Sequence, residues 1–189
     1  LRYFAIVNRR RLILLGVLPV VLIATAAALY TPDASRSALE ARYLENPAHL
    51  RTIAGMTVHV RDNGPRDAPA LILLHGMGAS LHTWEPWARA LADSFRVIRF
   101  DLPGHGLTPA DPTGDYRDVR SHEILAALMD SLGVARATLI GNSMGGRIAW
   151  SFAADRPERV DKLVLISPTA LRVPGLRMTR PPRCLRRWA

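Results

Sequence analysis

Gly141-Asn142-Ser143-Met144-Gly145-Gly146 follows the apolar run Thr138-Leu139-Ile140 and precedes a segment in which Ile148, Ala149 and Phe152 recur at helical spacing. A G-x-S-x-G between a strand and a helix puts the serine on a sharp, strained turn that lifts its hydroxyl clear of the sheet. Side chains two positions to either side would collide with neighbouring backbone, which accounts for Gly141 and Gly145. The helix start behind the serine adds the positive end of a dipole and, at Met144, an N–H with no intrahelical acceptor. Ser143 is therefore the candidate nucleophile.

Outward from this turn, the sequence alternates between two periods. Continuous apolar runs at 71–74, 96–100, 138–140 and 163–166 predict strands covered on both faces. Between them lie helical patterns: Trp84, Trp87, Ala88 and Leu91 with Pro86 in the first turn; Ile124, Leu125, Leu128 and Leu132 closed by Gly133; and Ile148, Ala149, Phe152 and Ala153 closed before Pro157. Upstream, Met56, Val58 and Val60 alternate with Thr57, His59 and Arg61 after Gly55, the period of a half-buried hairpin. Strands alternating with helices predict an α/β fold, a mostly parallel sheet flanked by helices with an antiparallel hairpin at one edge.

Two further glycine-rich turns sit at strand ends. His75-Gly76-Met77-Gly78-Ala79-Ser80 follows the strand at 71–74, and its glycines allow a backbone N–H to face the serine from the opposite side. A tetrahedral oxyanion needs two donors, and the N–H groups of Met77 and Met144 form the natural pair. His75 is read as bracing this turn rather than as a base. Phe100-Asp101-Leu102-Pro103-Gly104-His105-Gly106 pairs an acid with a histidine, but its Gly and Pro density reads as a turn held by side-chain hydrogen bonds. His49, His59, His82 and His122 are scattered over separate elements without metal-ligand spacing, so neither a metal nor a cofactor is called for.

Together these residues resemble the α/β-hydrolase superfamily from about Arg51 to Pro168, on three motifs in the superfamily's order: HGMGAS, DLPGHG and GNSMGG. The resemblance implies an oxyanion hole at Met77 and Met144, with Gly76, Gly141 and Gly145 shaping the turns, and attack by Ser143 on a carbonyl. Serine rather than aspartate at the nucleophile position argues against epoxide hydrolases and haloalkane dehalogenases. The run Asn142 to Gly146 is similar both to carboxylesterases and to hydrolases that cleave carbon–carbon bonds in ring-fission products. Three readings follow: a serine hydrolase of small-molecule or lipid esters, a carbon–carbon hydrolase, and a non-catalytic, membrane-tethered binding domain.

Superfamily members carry the acid and histidine on later loops, typically about a hundred or more residues past the nucleophile. Here 46 residues follow Ser143, and 171–189 holds six arginines, three prolines and no acid. The sequence thus predicts an incomplete core, 51–170, that lacks the triad acid and base, followed by an aberrant or disordered tail, 171–189.

The formal net charge is +9, but ten of the 25 basic residues lie before residue 12 or after residue 171. The fifteen that remain face all 16 acids, leaving the body near −1, so nucleic-acid binding has no support. Cys184 is the single cysteine, which excludes an intrachain disulfide. At the other end, 12–30 is an uncharged run of 19 residues, about 28 Å as a helix, preceded by Arg9-Arg10-Arg11. It predicts a transmembrane anchor with 1–11 cytoplasmic, a stalk at 31–50 and the body on the extracytoplasmic side. A cleaved signal peptide ending near Ala26 or Ala28 is the alternative. Within the stalk, Ser37 and Glu40 have capping-box spacing.

Overall fold

In the computed structural model the backbone is described for residues 2–169 and side-chain environments for 16–169; the tail expected at 171–189 lies outside the described residues. The chain divides into two compact units, Leu1–Ala38 and Leu39–Ala189.

The first unit contains helix α1, Arg2–Leu29, with Pro19 inside it. The expectation of a membrane-spanning anchor at 12–30 is overturned: among the described residues no helix is long and apolar enough to cross a membrane. The helix takes Arg9, Arg10 and Arg11 into its own length. The extracytoplasmic placement of Ser143 rested on that span and falls with it. Helix α2, Arg36–Tyr43, follows; its first turn is capped by Ser35, whose Oγ accepts from the Ala38 N–H at 3.3 Å, so the cap lies two residues before Ser37.

The second unit holds a six-stranded sheet. Strands β1 (Leu50–Ile53) and β2 (Met56–Asn63) form the hairpin, turning on Ala54 and Gly55, both at positive φ (47° and 80°), the signature of a two-residue type I′ loop. Strands β3 (Ala70–Leu74), β4 (Arg96–Phe100), β5 (Ala137–Asn142) and β6 (Val160–Ile166) complete the order β1-β2-β4-β3-β5-β6. Strands β1 and β2, and β2 and β4, pair antiparallel, while β3–β4, β3–β5 and β5–β6 are parallel, which puts the hairpin at the sheet edge.

Helices cover both faces. Trp84 and Ala88, the latter in α3 (Glu85–Leu91), pack on Leu71, Leu73 and Val97. Helices α4 (Asp118–Ser131) and α5 (Met144–Asp155) bring Leu125, Leu128, Ile148 and Phe152 onto Ile72, Leu74, Ile98 and Leu139 on the other face. Alternate residues of β3 thus feed opposite layers, as strand pleating requires. Strand β6 departs from the expected cover on both faces: Leu163 and Val164 are 38% and 41% exposed. Among the described residues it pairs only with β5.

This topology fixes where chemistry can occur. The connection after β3 leaves toward α3, and that after the adjacent β5 leaves toward α5 on the opposite face. Neighbouring strands whose connections part in this way open a crevice beyond their carboxyl ends. The two loops flanking that crevice are those of His75 and Ser143.

Candidate active site

Ser143 sits alone between β5 and α5 at φ 49°, ψ −113°, a conformation costly for a residue with a side chain. Neighbouring backbone holds it there. Its N–H donates to the Ile166 carbonyl at 3.0 Å, and its own carbonyl accepts from Arg147 N–H at 3.0 Å and Thr169 N–H at 3.1 Å. The glycines are sterically required: a Cβ on Gly141 would fall on the Gly145 carbonyl, and one on Gly145 would fall on the carbonyls of Leu74 and His75. Even Gly146 would meet the Pro168 side chain at 2.9 Å. The turn can form only because the chain has no side chains at these positions.

The His75 loop lies against it. A Cβ on Gly76 would be 3.3 Å from Ser143 Cβ and 2.9 Å from Asn142 Oδ1, so backbone approaches the serine closely from the β3 side. Met77 follows, 77% exposed, and makes no backbone hydrogen bond through its N–H among the described residues. Met77 and Met144 both line a cavity of about 400 Å³, whose walls include Leu102, Ile124 and Ile148 and whose polar groups are His105, Asp115, Tyr116, Arg120, Ser121 and Arg147. Arg147, one helical turn past Ser143, is ion-paired to Asp118 at 3.0 Å; Arg120 is held by Asp111 at 2.7 Å and by the Ala54 carbonyl at 2.9 Å. None of these arginines stood out in the sequence. The position of Arg147 on the first turn behind the serine was the one available signal.

His75 is fully buried and committed to the turn. Its Nε2 accepts from Leu102 N–H at 2.9 Å, which places the ring proton on Nδ1, where it donates to the Gly76 carbonyl at 2.8 Å. Burial pushes its pKa down, against the opposing pull of the Gly76 carbonyl and Asp101. Asp101, also fully buried, accepts from Leu81 N–H (2.7 Å), Leu107 N–H (2.9 Å) and His59 Nδ1 (2.8 Å). Burial alone would raise its pKa; the hydrogen bonds from His59, Leu81 and Leu107 outweigh it and hold the carboxyl below its ordinary value. A Cβ on Gly106 would strike this carboxylate. His105 Nδ1 is 3.0 Å from the Pro103 carbonyl, and His122 contacts Ser151 Oγ at 2.8 Å. Among the described residues no histidine ring is hydrogen-bonded to the Ser143 hydroxyl, and no group of His, Cys, Asp or Glu could hold a metal.

Comparison with known proteins places this geometry. A family described as the alpha/beta hydrolase fold matches residues 69–185. A putative 2-succinyl-6-hydroxy-2,4-cyclohexadiene-1-carboxylate synthase of Bacillus subtilis is 43% identical over 124 residues, 65% of this chain and 43% of that protein. A 2-hydroxy-6-oxononadienedioate/2-hydroxy-6-oxononatrienedioate hydrolase of Burkholderia vietnamiensis is 42% identical over 59% of this chain and 40% of its own length. Among solved structures, the enol-lactonase of Burkholderia xenovorans superposes with a TM-score of 0.58 at 34% identity, covering 60% of this chain and 44% of that one. The chain spans about two fifths of the length of the curated relatives it matches. Fold, motif order and family match agree, and the chain belongs to the alpha/beta hydrolase fold family.

Proposed function

We propose that this protein is a hydrolase of small carbonyl compounds, with an ester as the first expected substrate, acting through an acyl-enzyme on Ser143. The observation that carries the reading is the strained φ of Ser143 held against the Gly76–Met77 backbone. Attack by Oγ on a carbonyl carbon develops negative charge on oxygen. The N–H groups of Met77 and Met144 are the candidate donors for it, on either side of the serine, and the cavity they line is the candidate seat for the acyl group. A proton must leave Ser143 as the bond forms. All six histidine rings are engaged elsewhere or lack a hydrogen bond to that hydroxyl, so the base and its acid partner are proposed to lie outside the described residues.

Cleavage of a carbon–carbon bond is the second reading, supported by the dienedioate hydrolase at 42% identity. It begins with the same attack but expels a carbon leaving group, which must receive a proton.

Long incubation with a fluorophosphonate probe is expected to label the chain at Ser143 and to leave Ser143→Ala unlabelled; labelling of the variant would move the nucleophile elsewhere. General-base catalysis is typically worth about 10²–10⁴-fold. Turnover of p-nitrophenyl acetate by the 189-residue chain should therefore fall well below about 1 s⁻¹, the low end for enzymes. Ser143-dependent turnover at that rate would show that one of the six histidines acts as base. A 2-hydroxy-6-oxo-dienoate run in parallel separates the two readings.

A further inference from the structure

We propose that the cleft between Arg61 and Arg99, on the α3 face of the sheet, binds a small oxyanion, a phosphate or a carboxylate group. Arg61 and Arg99 are directly opposite partners on β2 and β4, so their side chains leave the sheet on the same face. Both are buried, 7% and 1% exposed. Like charges set side by side in this way repel unless something negative lies between them.

Each arginine has one carboxylate: Arg61 Nη2 meets Glu45 Oε2 at 2.8 Å, and Arg99 Nη1 meets Glu85 Oε2 at 2.5 Å. Arg99 Nη2 reaches Asn63 Oδ1 at 3.4 Å. Among the described residues, Arg61 Nε, Arg61 Nη1 and Arg99 Nε are buried without an acceptor. These are donors only, and an unpaired buried donor forfeits its hydration without return.

The two arginines line one cavity of about 110 Å³ together with Asn63, Glu85 and Arg89. That is a few times the roughly 30 Å³ share of a water in the liquid, room for a small oxyanion. Its lining sets three arginines against one glutamate, and that glutamate is already engaged by Arg99, with Arg89 Nε 3.8 Å from its other oxygen. Arg89, 75% exposed along its side chain, stands where an incoming anion would be steered. No residue is shared with the cavity beside Ser143, so this site is separate from the carbonyl chemistry.

The test titrates the 189-residue chain with sodium phosphate and, separately, sodium acetate, against sodium chloride at equal ionic strength. Thermal unfolding is read for both anions, and ³¹P line width for phosphate. At ten times the dissociation constant, a single-site ligand raises the melting temperature of a chain this size by about 3–6 °C. A response to phosphate alone, or to acetate alone, assigns the site to that group; a response to both assigns it to oxyanions generally. Arg89→Ala at the rim is expected to raise the half-saturating phosphate concentration about twofold to fivefold, and Arg61→Lys to raise it further. Should Arg61→Lys fail to fold, Arg89→Ala and the titration of the unaltered chain still decide. Neither anion acting beyond chloride, or a titration with the responding anion unchanged in Arg89→Ala, overturns the proposal.

Discussion

At the ends of β4 and β5 the chain makes two glycine-rich turns, 101–106 and 141–146, that use their polar residues in opposite ways. In the first, Asp101 has both oxygens engaged by two backbone N–H groups and His59. In the second, Ser143 has its backbone bound on both sides and its hydroxyl free of hydrogen bonds among the described residues. An acid and histidines near a crevice invite a catalytic reading, yet here they are architecture. Asp101 is held through its side chain, whereas Ser143 is held through its backbone alone.

The largest test of that contrast is Asp101→Ala. It strands His59 Nδ1 and the Leu81 and Leu107 N–H groups in the interior, and should cost about 3–5 kcal/mol, seen as a lower urea midpoint. A variant that keeps its midpoint but loses Ser143 labelling would instead make Asp101 part of the reacting machinery.

Acidification should have a smaller effect with a definite sign. His49, His75 and His82 all have pKa values pushed down, in each case chiefly by burial. A folded-state pKa below the unfolded value of about 6.5 means that the unfolded chain takes up protons first. Their contribution is complete above about pH 6.5 and is lost as pH falls through the depressed values, so the urea midpoint should drop between pH 7 and 5. A flat profile would show that these rings are not held neutral by burial.

Smallest of all is the stability effect of Ser143→Ala. Among the described residues the hydroxyl makes no hydrogen bond, so the unfolding free energy should change by less than about 0.5 kcal/mol. A larger loss would mean that the serine braces the turn as Asp101 does.

Much of this was legible in the sequence because glycine and apolar periodicity report steric facts directly. Gly141 and Gly145 marked backbone approaches that the fold makes, and the runs at 71–74, 96–100 and 138–140 became β3, β4 and β5. What period alone does not carry is whether a polar face is covered. His59 and Arg61 alternate with Val58 and Val60 and read as the wet side of a hairpin, yet both are buried. Glu45 and His49, just before the hairpin, and His82, from beyond β3, cover them. Trp87 errs the other way, an apolar position in a helical pattern that remains 42% exposed beside buried Trp84. The capping residue was misplaced by two positions because Ser35 and Ser37 offer the same hydroxyl, and only the helix start distinguishes them.

The contact from Thr169 back to the Ser143 carbonyl also sets an order of events during synthesis. The serine's turn leans on Ile166, Pro168 and Thr169, the last of these 26 positions further along the chain. At about 5–20 residues per second, the ribosome adds those positions over about 1–5 s after the serine itself. Through that interval the strained turn has no far wall to lean on. The Ser143 turn therefore reaches its final shape only after its own helix and the following strand have been made.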